Sequence, residues 1–139
     1  MILLSIKPEY VKKIFSGEKK FEFRTQKPNT PPSLVFIYES YPVQMIVGWF
    51  KVKRILSGSP EDIWNKCKRY GGIEEEAFFE YCKGSNIVYA FEIEKTFKFP
   101  NPLDPYRVDK NFKPPQNFSY RNYPISYEGF EEQKQLEGT

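Results

Sequence analysis

The sequence contains no histidine and only two cysteines, Cys67 and Cys82, in 139 residues. Without histidine, His-based triads, imidazole acid–base chemistry and His-ligated zinc are excluded. With no CxxC pair and nothing else soft to complete a shell, no metal site is expected, and no cofactor either. Two thiols fit a reducing compartment, so the expected location is the cytoplasm. Long hydrophobic runs are missing as well. The apolar start Met1–Leu4 is too short for a signal-peptide core and is soon broken by Lys7, so no membrane association is expected. Charge of one sign is also scarce, with 21 Lys+Arg against 18 Asp+Glu and a net charge of +3. That excess does not establish nucleic-acid binding by itself, but it permits a local basic patch.

Aromatic residues and proline are plentiful, at 18% aromatic and 12 Pro, in a chain whose length suits one domain. Ile2–Ile6 reads as a short buried strand. Pro8 then opens a helix over residues 8–15, where its missing N–H costs nothing. Gly17 fits the left-handed residue that ends it. Lys20–Arg24 alternates, with Phe21 and Phe23 on one side and Lys20, Glu22 and Arg24 on the other. Thr25–Ser33, with three prolines, reads as a loop. Leu34–Tyr38 and Met45–Leu56 read as strands, and Gly48 marks a bulge or bend. Ser59-Pro60-Glu61-Asp62 starts a helix over 60–69, a second helix covers 74–83, and Ile87–Phe97 closes the strand set.

Beyond Pro100 the prolines exclude long helices and central strands. Leu103, Phe112 and Phe118 are nevertheless too apolar for a free tail, so Pro100–Tyr123 is expected to wrap over the domain with those side chains buried. Residues 1–123 then form the domain and 124–139 a polar C-terminal tail. Short strands around early helices, without a βαβ rhythm, predict an α+β fold: a small mixed β-barrel of five or six strands with about three short helices.

The order Leu3-Leu4-Ser5-Ile6-Lys7-Pro8-Glu9-Tyr10, then Ile14-Phe15-Ser16-Gly17-Glu18-Lys19-Lys20-Phe21-Glu22-Phe23-Arg24, resembles the ASCH family within the PUA-like group. Tyr38, Pro42, Val47-Gly48, Pro60 through Trp64, Ile73 through Tyr81 and Pro114-Pro115-Gln116-Asn117-Phe118 continue the likeness. The pattern is most similar to a subgroup described as predicted transcriptional regulators with PUA-like domains, and it leaves Tyr123–Thr139 unexplained. The resemblance implies a pseudobarrel and a cleft for RNA or a modified nucleobase. In such a cleft Lys19 meets a phosphate, while Glu22 and Arg24, two apart on one strand face, point into one groove. Arg offers a planar fork to phosphate or base edges, and Glu accepts from exocyclic amino groups. The same spacing equally suits a fold-stabilising ion pair. Lys7 is a further candidate at the opening, and Tyr38, Ser40 and Tyr41 are candidates at a strand end, where an aromatic ring can stack on a base.

Three functions follow as expectations. The first is a nucleic-acid-binding module, in transcriptional or RNA regulation, built on a locally basic cleft. The second is a small metal-independent hydrolase. Some ASCH proteins resemble N4-acetylcytidine amidohydrolases with a Lys-x-x-Thr motif; Lys19 matches the lysine, but Glu22 stands where the threonine belongs. Others resemble ribonucleases, for which Lys19, Tyr38 and Ser40 are the available set. The third is a regulatory module that contacts a protein partner through the Pro/Tyr-rich C-terminal segment.

Overall fold

The computed structural model describes residues 2–107, 109–115 and the backbone of 118–120. Strand β1 (Ile2–Ile6) leads into helix α1 (Pro8–Ser16), then β2 (Phe21–Arg24), β3 (Leu34–Glu39) and β4 (Met45–Gly58). Helices α2 (Pro60–Cys67) and α3 (Glu75–Cys82) follow, then β5 (Val88–Leu103) and a short β6 (Phe118–Tyr120). The helix ends obey local chemistry. Lys7 is extended before Pro8, and Gly17 at φ 88 stops α1 with its N–H on the Ile14 carbonyl. Ser59 Oγ accepts the Asp62 N–H at 3.2 Å to start α2.

The architecture is mixed α+β, with five strands from β1 to β5, a sixth added at the edge, and three α-helices. The sheet order is β2-β5-β4-β3-β1-β6, with β1 and β3 parallel and the other neighbours antiparallel. Here the expectation of a barrel needs correction. Among the described residues β2 and β6 are the two sheet edges and do not pair, so no closed barrel forms. The sheet curls instead. Phe97 and Phe15 approach closely at Gly48, where a Cβ would collide with the Phe97 carbonyl oxygen and the Phe15 ring. The β4–β5 register shifts at the same place, between Ile46 and Gly48.

Strand alternation sorts the core onto the two faces. Leu4, Ile6, Val35, Ile37, Phe50 and Phe91 pack inside the curl against Val11 and Ile14 of α1. On the outside, Phe23, Val88 and Ala90 meet Ile63, Cys67, Phe78 and Cys82 of α2 and α3. Farther along the same outer side, Leu3, Phe36, Tyr38, Trp49 and Phe99 are covered by Phe112. Of the expected C-terminal wrap, the part around Phe112 lies over the sheet. Phe112 is buried and Leu103 half-buried, and Phe118–Tyr120 pairs with β1. The Phe118 side chain and the proposed tail 124–139 lie outside the described residues. A second correction concerns β5, which runs through Pro100 and Pro102 to Leu103 rather than ending at Phe97. Strand β2 pairs with it only at residues 89–92, so the distal half has one neighbour and tolerates residues that donate no hydrogen bond.

Candidate functional site

The curl brings β2 toward the C-terminal end of β1 without a hydrogen-bond ladder between them. The β1–β6 pairing stops at Leu4, and the Ser5 carbonyl accepts from Arg24 Nη2 at 3.0 Å. One side chain thus bridges the seam that a barrel would close with backbone. Glu22 and Arg24 lie opposite Phe91 and Tyr89 of β5, on one face of β2. Arg24 Nη2 also donates to Glu22 Oε2 at 2.7 Å, and Lys19 Nζ lies 3.8 Å from Glu22 Oε1.

Lys19 is positioned by its surroundings more than by its carboxylate. Its Nζ donates to the Gly71 carbonyl at 2.6 Å and sits 4.7 Å from the Phe23 ring centroid and 5.3 Å from that of Tyr10. Gly72, at φ 64, lets the chain pass close; a Cβ there would stand 2.6 Å from the Lys19 Cβ. Lys19, Glu22 and Arg24 are only 2%, 6% and 7% exposed. Burying each charge costs several kcal/mol unless it is paired and hydrogen-bonded. One carboxylate here serves two cations, so the cluster keeps a formal charge of +1. Burial pushes the Lys19 pKa down, against the opposing pull of Glu22. Arg24 Nε is buried with no hydrogen-bond partner among the described residues.

These three side chains border a cavity of about 420 Å3, walled by the end of β1, the start of α1, β2 and α3. That volume falls within the roughly 300–1,000 Å3 of small-molecule sites. Lys7 lines it and is exposed, which places an ammonium at the mouth. Tyr10 from α1 and Tyr81 from α3 supply aromatic walls, and burial raises both phenol pKa values.

Of the residues singled out in the sequence, Lys7, Lys19, Glu22 and Arg24 meet in this cavity, whereas Tyr38, Ser40 and Tyr41 do not line it. Tyr38 alternates onto the outer face and packs on Phe112 with ring centroids 5.3 Å apart. Burial, with Tyr106 beside it, pushes its pKa up to about 12. Ser40 donates its N–H to the Ile6 carbonyl at 3.0 Å, next to the cavity but outside it. Tyr41 is 78% exposed beyond it. The Lys19/Tyr38/Ser40 set weighed for hydrolysis is therefore not assembled at one site. The basic cleft is also more enclosed than the strand alternation suggested, because Glu22 and Arg24 lie in a seam rather than on an open face. Tyr10, Glu80 and Tyr81 are lining residues that the sequence reading assigned to helices alone. Their signal was present but ambiguous: Tyr10 and Tyr81 fall on the apolar stripes of two helices that turn out to flank the seam.

No group of three metal-ligating side chains occurs, and no helix is long and apolar enough to cross a membrane, among the described residues.

Comparison with known proteins agrees with the geometry. The ASCH domain profile matches residues 4–102. An ASCH domain-containing ribonuclease of Zymomonas mobilis is 28% identical over 125 residues, covering 85% of this chain and 82% of that protein. ATP synthase subunit alpha of Ureaplasma parvum serovar 3 is 28% identical over 120 residues, which is 86% of this chain but 15% of that much longer protein. The crystal structure of ASCH from Zymomonas mobilis superposes with a TM-score of 0.84 at 24% identity, covering 94% of this chain and 93% of that one. A serine-to-alanine variant of the Zymomonas protein gives a TM-score of 0.82 at 25% identity, covering 97% and 94%. An open curled sheet, α1 inside it and a charged seam beside it thus coincide with a profile that spans most of the chain, and the chain belongs to the ASCH domain family.

Proposed function

We propose that this domain binds RNA by receiving a nucleotide in the seam cavity, and that binding rather than cleavage is its task. The observation that carries the reading is the composition of the cavity: Lys7, Lys19 and Arg24 against Glu22 and Glu80, a formal excess of one positive charge, with tyrosines on the walls. Arg24 lines the cavity with a guanidinium that suits a phosphate or a base edge, Lys7 suits a phosphate, and Tyr10 or Tyr81 suits a base face. Glu22 keeps acceptor capacity for an exocyclic amino group, which favours cytosine-like or adenine-like edges. A modified base fits the same chemistry. The 28% identity to a protein named a ribonuclease supports an RNA-related role in the same coarse sense.

The test is titration with nucleoside 5′-monophosphates and the corresponding nucleosides. The monophosphates should bind more tightly, and Lys7→Ala should remove most of that advantage while leaving nucleoside affinity unchanged. Equal binding of all ligands by wild type and an Arg24→Met/Lys7→Ala variant would overturn the cavity as the site.

Hydrolysis is the second reading, favoured by the named relative. Its single chemical support in this cavity is Lys19, whose lowered pKa suits proton transfer. Metal-independent cleavage of single-stranded RNA, or release of acetate from N4-acetylcytidine, that disappears in Lys19→Met would establish it and displace the binding reading. A regulatory role in transcription, suggested by the subgroup resemblance, and a protein partner on the C-terminal segment would both be secondary to such binding.

A further inference from the structure

We infer a second subsite, a phosphate-binding groove next to the seam cavity, that would hold the strand flanking a nucleotide seated there; the inference rests on the proposed RNA binding. The groove, of about 250 Å3, lies between the Thr25–Ser33 loop and strands β4 and β5. Its cations are Lys27, Lys53 and Arg54, its apolar floor includes Pro31, Pro32 and Tyr89, and no carboxylate lines it. Arg54 is held by Glu92 across the strands. Lys27 and Lys53 are exposed, and neither has a carboxylate partner among the described residues.

Two placements tie this groove to the cavity. Arg24, which lines the cavity, is paired with Tyr89, which lines the groove, and Tyr89 is paired with Ser57 on the groove's far side. Adjacent strands are about 4.8 Å apart, so the row Arg24–Tyr89–Ser57 carries the path from one to the other in two steps. Lys27 follows Arg24 by three residues, at most about 11 Å of chain. The loop that carries it is fixed by the Val52 N–H on the Ser33 carbonyl at 2.9 Å. Unpaired lysines around a half-buried tyrosine and prolines match the cation-plus-ring pattern of single-strand binders. An acidic peptide would use the cations but not the ring.

The probe is a fluorescent single-stranded RNA of mixed sequence, titrated at several salt concentrations into wild type and Lys27→Ala/Lys53→Ala. Both side chains are exposed, so the variant should fold; a Lys27→Arg/Lys53→Arg variant should bind as wild type does. The double alanine variant should lose about tenfold in affinity, and its salt slope should fall by about 1.4, or about 0.7 per lost phosphate contact. Free nucleosides should bind it as they bind wild type. Loss of RNA affinity with no nucleoside binding by either protein would keep the groove and reject the cavity as the base site. Unchanged RNA affinity and salt slope in the alanine variant would overturn the groove. So would competition by polyglutamate as effective as that by unlabelled RNA.

Discussion

The two faces of one sheet solve the problem of burial in opposite ways. On the outer face Phe23, Phe78 and Trp64 stack at edge and tilt angles, with centroids 4.9 Å apart for Phe23–Phe78 and 5.1 Å for Trp64–Phe78, and the side chains that α2 and α3 bury there, Ile63, Cys67, Phe78 and Cys82, are not charged groups. In the seam, three ionisable side chains are enclosed almost as completely. The outer face gains from area removed from water and from ring geometry. The seam gains little, because ion-pair attraction mostly offsets desolvation, and an apolar substitute would serve stability as well or better. An enclosed charged cluster that adds little to stability is what a binding role for the seam calls for, and that is the role proposed above.

The comparison can be broken most severely at its two centres. Phe78→Ala and Glu22→Gln should each destabilise the domain by about 3–5 kcal/mol in chemical denaturation, the first through a cavity and the second through two cations left without a carboxylate. The losses differ in kind. Adding Lys19→Met to Glu22→Gln should recover part of the loss, whereas no charge change should rescue Phe78→Ala.

Next in size is a pH effect of opposite sign on the two faces. Burial pushes the Cys67 and Cys82 thiols on the outer face up to about 11 from an ordinary 9. Unfolded thiols ionise first, so stability present below pH 9 should fall between pH 9 and pH 11, by roughly 2 kcal/mol per thiol at most. Lys19 acts in reverse. Its folded pKa is lowered, so the native state releases its proton first and stability rises as pH climbs through that folded value toward 10.5. Denaturation of Cys67→Ala/Cys82→Ala should show a flatter alkaline limb, and of Lys19→Met a steeper one.

A smaller contrast separates two glycines. Gly17→Ala, at φ 88 with no atom within 4 Å of the new Cβ, should cost about 1 kcal/mol of backbone strain. Gly72→Ala, at φ 64, adds collision with Lys19 and should cost about 1–3 kcal/mol together with a measurable fall in nucleotide affinity. The smallest effect belongs to the exposed Lys51–Glu94 pair, 3.2 Å apart. Lys51→Ala should change stability by less than about 1 kcal/mol.

How legible each face was follows from its chemistry. Helix ends were readable because Pro8, Gly17 and Ser59-Pro60 carry their backbone preference locally. The pairing of Glu22 with Arg24 was readable because period two fixes a shared face. The place of Tyr38 was not readable: Val35-Phe36-Ile37-Tyr38 is apolar on both faces, so alternation could not say which side meets the seam. The open sheet was hidden for a different reason. Whether a curled sheet closes depends on the distance between its edge strands, and here a side chain, Arg24, reaches across the gap that the backbone leaves. Tyr10 and Tyr81 joined the site through the packing of α1 and α3 around that gap, which no local pattern encodes.

If the seam, and not the aromatic outer face, receives the nucleotide, ligand contact is confined to the residues that line the cavity. Backbone amide shifts recorded by NMR during titration with cytidine 5′-monophosphate test it most directly. Saturable shifts are expected at Lys7, Tyr10, Lys19, Ala77 and Tyr81, which line the cavity, with Tyr38, Tyr106 and Phe112 unmoved. Saturable shifts centred on Tyr38, Tyr106 and Phe112, with the seam silent, would contradict it.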